Sequence, residues 1–355
     1  MKTHSRIYCY FIVLLFIGSV FVYSSSSFIG FIYYNNSLVF YIKQMIAIVS
    51  GVFLSYVMSS IPSCFFKKHA VLILFFILFL NILPFFPFIK YPINGAMRWI
   101  SLCGVVFQPS ELLKIAFFLH ISFIFSFYED QIHYIISLVF FYFLLIISIL
   151  INQSDFGLII ILSCITFILL WNFLYNKKIL LYGSLFLIVL LIIFIIIKPY
   201  RILRLLIYLN PWDDPLGKGF QIIQSYIAIA NGGFCGLGLG ASKQKNLFLP
   251  MAHTDFIFSI IVEEIGLFGA FFLLYLILRF ALFFIQASYA SKNIFEKNYL
   301  LCTGLLIIIQ TSINVGAATG IIPTKGIGLP FISYGMSSII GFSILIGIAL
   351  SMIKD

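Results

Sequence analysis

The stretch that decides the fold is residues 254–284, TDFIFSIIVEEIGLFGAFFLLYLILRFALFF. Apart from Asp255, Glu263, Glu264 and Arg279, every residue in this stretch is uncharged, and most are apolar. A helix crosses the hydrocarbon core of a bilayer with about 20 consecutive apolar residues. The stretch therefore predicts a membrane-spanning helix.

Similar apolar runs recur along the whole chain of 355 residues. With 63% hydrophobic and only 9% charged residues, the chain has too little polar surface for a water-soluble fold of this size. We therefore predict an all-α polytopic membrane protein, a single domain over residues 1–355 with about ten transmembrane helices. The predicted spans are 7–23, 43–61, 70–89, 110–127, 133–151, 156–175, 179–197, 254–284, 299–320 and 330–352.

The net charge of +10 would suggest a nucleic-acid partner in a soluble protein. Here the basic residues lie in short loops between apolar runs, so membrane topology and anionic lipid explain them better, and we expect no nucleic acid. Ten spans place both termini on one side of the membrane. The loop cations favour the cytoplasmic side once those of the long loop 198–253 are discounted.

The loop 198–253, between the seventh and eighth spans, is then extracytoplasmic. Long loops are uncommon in compact proteins and are usually functional. This loop contains a glycine-rich stretch, 232–240, and an apolar segment, 222–230, that predicts a short helix. A smaller segment, 90–109, reads as irregular, with turns at its Asn-Gly and Pro positions.

Five acidic residues lie in or at the ends of predicted spans, where ionisable groups are costly and by default suggest function. They are Glu111, Asp155, Asp255, Glu263 and Glu264.

The first of these opens the fourth span. Glu111 and Lys114 are three residues apart and share one helix face, and Ser110 is a candidate N-cap. The pair either pins the helix end or holds a cation ready for a lipid-linked phosphate. Arg98, just outside the span, is either a phosphate ligand or an interfacial anchor beside Trp99.

Asp155 opens the sixth span and Asp255 opens the eighth, so each could be a simple N-cap. Asp255 is also placed to act as a general base at the membrane boundary, with His253 beside it. Helical spacing predicts that Asp255, Ser259 and Glu263 line one polar cleft, whereas Glu264 faces another helix or a cytoplasmic partner.

The last outer loop contains Pro323-Thr324-Lys325-Gly326 and Ile332-Ser333-Tyr334-Gly335. Glycine and proline let the backbone approach a ligand there, and Lys325 adds a cation; alternatively this is an ordinary tight loop. The scattered histidines and cysteines form no metal-ligand pattern, and no phosphate-binding glycine loop occurs.

These motifs, in this order, resemble the SEDS family (shape, elongation, division and sporulation) of peptidoglycan polymerases, over nearly the whole chain. The resemblance implies a ten-helix fold that polymerises lipid II, an undecaprenyl-diphosphate disaccharide-pentapeptide, at the outer face of the bacterial cytoplasmic (inner) membrane. The motifs are Arg98-Trp99-Ile100, Gln108-Pro109-Ser110-Glu111, Asn210-Pro211-Trp212, His253-Thr254-Asp255-Phe256-Ile257-Phe258, Glu263-Glu264 and Leu329 to Gly335.

Asp255 matches the family's essential aspartate. The resemblance also matches Arg98, Glu111, Lys114, Asp155 and Ser333 to its polar positions. Residues 242–245 and 323–326 are closer to the cell-division branch than to the elongation branch, which implies a role at the division septum. The implied partners are a class B penicillin-binding protein, an FtsI-like transpeptidase, and other divisome proteins.

The resulting hypothesis is an inverting glycosyl transfer. Arg98, Lys114 and Lys325 would surround the departing diphosphate, and Asp255 would accept the proton of the attacking 4-hydroxyl. His253 and Glu263 complete the expected substrate-binding set. No cofactor is evident from the sequence. Whether a divalent cation, Mg²⁺ or Mn²⁺, helps to neutralise the diphosphate is left open. The alternatives are a lipid II flippase and a non-catalytic divisome scaffold.

Overall fold

The computed structural model describes residues 3–86, 96–102, 105–129, 131–173, 208–217, 219–324 and 326–353. Its described part is helical, and the helices long and apolar enough to cross a membrane number eight. The helices are α1 Thr3–Tyr34, α2 Val39–Ser59, α3 Ser63–Ile82, α4 Ser110–Phe127, α5 Ile132–Asn152, α6 Phe156–Phe173, α7 Phe220–Gly232, α8 Ile257–Ala290, α9 Ile294–Ala318 and α10 Met336–Ser351.

The all-α polytopic fold is confirmed. Nine of the ten predicted spans correspond to α1–α6 and α8–α10, and α10 is the shortest of these at 16 residues. The seventh predicted span, 179–197, lies outside the described residues. The short helix predicted in the long loop is α7, which packs against α8.

Helix α1 is longer than the sequence predicts. The expected span ends before the serines at 24–27, but the helix continues to Tyr34. Ser25 and Ser26 donate their hydroxyl protons to the carbonyls of Phe21 and Val22, at 2.7 and 2.6 Å. Serine side chains satisfied within the helix in this way do not compete with it.

Helices α2 and α10 form the most extensive contact between described elements. Gly51 and Ser55 of α2 face Ser343 and Gly347 of α10, and a Cβ on either glycine would collide with the opposite helix. Small residues spaced four apart let two membrane helices approach closely, because packing replaces the hydrophobic effect between them.

Helix α8 is broken at Gly266, whose φ of 70° and ψ of 179° are not helical. The glycine-rich loop fills the break. Leu237 and Gly238 donate their N–H groups to the carbonyls of Glu263 and Glu264, both at 2.9 Å, and Leu267 donates to the carbonyl of Gly233 at 2.9 Å. The main-chain groups released by the break are thereby satisfied.

A short antiparallel hairpin precedes α4, in the segment predicted as irregular. Its strands are β1 Ile100–Leu102 and β2 Val105–Phe107. The hairpin places Arg98 just before its first strand and Gln108 just after its second. Helices α4 and α9 contact each other and are the most buried of the candidate spans.

Candidate active site

Asp255 lies in the turn between the long loop and α8, half-buried. Its backbone is tightly held: the carbonyls of His253 and Thr254 accept hydrogen bonds from the Tyr334 N–H at 2.9 Å and the Ser333 hydroxyl at 2.7 Å. Among the described residues, nothing donates a hydrogen bond to the Asp255 carboxylate. The carboxylate is thus held by its main chain and left open at its tip.

Arg98 faces the same space. A Cβ built on Gly326 would lie 3.4 Å from Asp255 Oδ2 and 3.7 Å from Arg98 Nη2, so both charged atoms border one small gap. Burial raises the pKa of Asp255 from 3.8 to about 6, and the Arg98 guanidinium partly opposes this rise. A carboxylate with a pKa near 6 is mostly ionised at neutral pH and still basic enough to take a proton.

Asp155 anchors the other side of Arg98. Its Oδ1 lies 3.6 Å from Arg98 Nη1, and its Oδ2 accepts hydrogen bonds from Ser110 at 3.1 Å and Gln108 at 3.3 Å. Oδ1 also accepts from the N–H of Leu158 at 3.4 Å, so Asp155 caps α6 as well. Ser110 does not cap α4 as the sequence suggests, because its hydroxyl is used by Asp155.

The predicted pair of Glu111 and Lys114 forms, with Oε2 and Nζ 2.7 Å apart. Lys114 is only 3% exposed, and its ammonium group also lies 3.5 Å from Gln310 Oε1 and 4.5 Å from the centre of the Phe342 ring. The cation is therefore oriented within the helix bundle by three groups.

His253 and Ser333 lie beside Asp255. The His253 ring packs between Phe40 and Tyr334, with ring centres 5.0 and 5.6 Å away, and burial lowers its pKa to about 4. His253 is therefore neutral at physiological pH. The Ser333 hydroxyl also accepts a hydrogen bond from the N–H of Leu329 at 2.6 Å, so it ties the last loop to the Asp255 turn.

The expected common cleft of Asp255, Ser259 and Glu263 does not form. Ser259 is buried and bonded to Ser225 of α7. Glu263 is fully buried, and its donors all belong to residues 231–244: the Asn231 amide, the Ser242 hydroxyl and the N–H groups of Lys243 and Gln244. The long loop folds back onto α8, and its donors occupy the Glu263 carboxylate.

Glu264 meets another helix, as expected, but through a loop lysine. Its Oε1 lies 2.9 Å from Lys245 Nζ and accepts a hydrogen bond from Ser24 of α1. Lys245 Nζ also donates to Ser24 at 2.9 Å and to the carbonyl of Gly240 at 2.6 Å. This buried pair joins α1, the glycine-rich loop and α8.

Lys325 lies outside the described residues. Three amides to which the sequence analysis gave no role support the site: Gln108, Gln310 and Asn314. An amide side chain within an apolar span was the signal that could have pointed to Gln310 and Asn314, since buried polar groups in membranes require partners.

The fold and this site define a class: a polytopic membrane protein whose carboxylate and guanidinium face one gap at the end of its helices. Residues 5–355 match the FtsW, RodA and SpoVE family, described as cell cycle protein. The chain belongs to this family, and the SEDS resemblance is confirmed.

A relative from Buchnera aphidicola subsp. Schizaphis graminum, named "Probable peptidoglycan glycosyltransferase FtsW", is 41% identical over 333 residues, covering 90% of this chain and 92% of its own. Among solved structures, one chain of a peptidoglycan synthase complex said to coordinate polymerization and crosslinking has a TM-score of 0.74 and 27% identity, covering 95% of both chains. The rod-shape-determining protein RodA of Thermus thermophilus has a TM-score of 0.71 at 21% identity, covering 98% of this chain and 95% of its own, and shares the fold.

Proposed function

We propose that this protein is a peptidoglycan glycosyltransferase that polymerises lipid II into β-1,4 glycan strands. The observation that carries the proposal is the shared gap at Gly326. It brings together a base, Asp255, and a cation, Arg98, and the carboxylate has no hydrogen-bond donor among the described residues. A general base and a cation for a leaving diphosphate are the two groups that this transfer needs.

The reaction is a direct displacement. The 4-hydroxyl of the acceptor sugar attacks the anomeric carbon of the donor while Asp255 accepts its proton. The bond between that carbon and the diphosphate oxygen breaks, and the diphosphate leaves with the electron pair. Attack from the opposite face converts the α-linked donor into a β-linked product.

The cations have different proposed roles, because they lie at different distances from the gap. Arg98 borders the gap with its Nη2 atom, its side chain is 23% exposed, and Nη2 has no hydrogen-bond partner among the described residues, so this atom can donate to a phosphate. Lys114 is buried against Glu111 and contributes positive potential from within the bundle. Lys325, next to Gly326 in sequence, is proposed as a further phosphate ligand.

Asp155, Glu111, His253 and Ser333 orient these groups in this proposal, because each has protein partners of its own. Glu263 is proposed to affect substrate binding only indirectly, by holding residues 231–244 of the long loop in place. No group of three or more His, Cys, Asp or Glu side chains able to hold a metal occurs in the described ranges. Rates with Mg²⁺, with Mn²⁺ and with a chelator test whether a divalent cation assists the diphosphate.

We further propose that both termini are cytoplasmic, that the Asp255 gap opens outward, and that the protein acts at the division septum. A class B penicillin-binding protein would crosslink the strands it makes, together with other divisome proteins. The relatives' names and the synthase complex support this assignment.

The test is polymer synthesis from lipid II by purified protein together with the partner transpeptidase. Asp255→Asn and Asp255→Ala should abolish the polymer. Glu129→Gln, which changes an exposed carboxylate beyond the far end of α4, should not. Folding is checked by thermal unfolding in detergent, and wild-type rates in folded Asp255→Ala would overturn the proposal.

A lipid II flipping assay in liposomes is carried out in parallel with the polymerisation assay, because a flippase would move lipid II across the membrane without lengthening a glycan strand. A scaffold would show neither activity and would tolerate both Asp255 variants in dividing cells.

A further inference from the structure

Asn314 is a buried amide on α9, 1% exposed. Its Nδ2 donates to the carbonyl of Asp255 and to the carbonyl of Ile327, both at 2.8 Å. The reversed amide would place its oxygen against two carbonyl oxygens, so the contacts fix its orientation. One side chain thus joins the turn that carries the base to the loop beside Gly326.

This bond completes a clamp on three successive carbonyls. Those of His253 and Thr254 are held by Tyr334 and Ser333, and that of Asp255 by Asn314. The donors come from two separate parts of the chain, the last loop and α9. These three peptide oxygens are therefore fixed from outside their own turn.

The same face of α9 reaches the cation. Gln310, one turn before Asn314, donates to the carbonyl of Gly328 at 3.0 Å and lies 3.5 Å from the ammonium group of Lys114. Residues four apart on a helix lie on one face. Helix α9 therefore fixes the base turn, the loop beside the gap and Lys114 relative to one another.

The unpartnered oxygen of the Asn314 amide is a second reason to assign this residue a role in positioning. The Asn314 Oδ1 atom is buried and accepts no hydrogen bond from the described residues. A buried polar atom without a partner is unfavourable, particularly in a membrane helix. An apolar residue would avoid this cost. The reason for an amide at position 314 is therefore the pair of hydrogen bonds that its Nδ2 donates.

We infer that Asn314 is a positioning residue for the glycosyl transfer, holding the Asp255 carboxylate at its place opposite Arg98. The inference rests on the proposed function. Asn314 does not touch substrate. It fixes the peptide plane from which the base projects, and such positioning affects the rate more than the binding of substrate.

The experiment compares Asn314→Leu with Asn298→Leu. Leucine keeps the same number and branching of side-chain heavy atoms and removes both donors. Asn298 is a matched control: it lies on the same helix, is 2% exposed, and its amide nitrogen has no hydrogen-bond partner among the described residues. It lies about 24 Å away along the helix axis.

We expect Asn314→Leu to lower kcat about 100-fold with KM changed less than about threefold, since small misplacements of reacting groups cost this much. The acid limb of its remaining activity should move to lower pH, because a loosened turn admits water to Asp255. Asn298→Leu should keep the wild-type kcat and pH profile.

Asn314→Ala and Asp255→Ala are assayed in parallel, and folding is followed by thermal unfolding. A wild-type kcat in folded Asn314→Leu, or a loss that Asn298→Leu matches, overturns the inference. Unfolding of both Asn314 variants where Asn298→Leu folds assigns Asn314 to stability alone and also overturns it. Activity in Asp255→Ala would instead overturn the proposed function.

Discussion

Lowering the pH should switch off glycan synthesis with a midpoint near pH 6, because Asp255 must be ionised to accept a proton. Burial raises the pKa of Asp255 from 3.8 to about 6. The ionised fraction is then about 90% at pH 7 and about 10% at pH 5, so the rate falls about tenfold between them. An aspartate of ordinary pKa would lose less than about a tenth of its ionised form over this range.

The assay is initial-rate polymerisation at lipid II concentrations well below KM, since kcat/KM reports the pKa values of the free enzyme. Arg98→Gln should move the acid limb to higher pH, because the guanidinium lowers the pKa of Asp255. Glu129→Gln should leave it unchanged. An acid limb below about pH 4.5 in the wild type, or no shift in Arg98→Gln, would refute the reasoning.

The same pKa has a consequence for stability, and its sign is fixed by linkage. Because the folded state holds the Asp255 proton more tightly than the unfolded state, stability falls as the pH rises from about 4 to about 6. At pH 7 the buried charge costs up to about 3 kcal/mol. Asp255→Asn should raise the Tm in detergent at pH 7 and lose this advantage near pH 4. An equal or lower Tm at pH 7 would contradict the argument.

Other substitutions test the gap and the loop that folds onto α8. Gly326→Ala should keep most activity, since its Cβ makes only ordinary contacts at 3.4 and 3.7 Å, whereas Gly326→Leu should fill the gap and lower the polymerisation rate about 100-fold. Lys245→Met should destabilise the fold by about 3 kcal/mol or more, and adding Glu264→Gln should restore much of the loss in Tm; a double variant less stable than the single one would refute an ion-pair role. Gly266→Ala should destabilise the fold by at least about 1–3 kcal/mol and lower the Tm, because its φ of 70° is strained for alanine and the added Cβ would collide with the Phe234 carbonyl oxygen. An unchanged Tm would mean that α8 need not break there.

Two predictions show where reasoning from the sequence succeeded and where it failed. Glu111 and Lys114 pair as their spacing predicts, because both lie on one turn of one helix. Glu263 was expected beside Asp255 by the same helical spacing, yet it is held by residues 231–244. Spacing along a helix predicts which side of the helix a residue lies on. It does not predict which distant segment of the chain will pack against that side.

The sequence by itself determined that the chain crosses a membrane many times, where most of its helices lie, and that Asp255 stands at the entrance to one of them. Hydrophobic length and the cost of charge in lipid are local properties that are readable residue by residue. Only the tertiary structure decided that Arg98, Asp255 and Gly326 share one gap, that Asn314 holds the turn behind it, and that α8 breaks to receive the glycine-rich loop. These arrangements depend on hydrogen bonds and close contacts between segments far apart in the chain, and no periodicity along the chain encodes them.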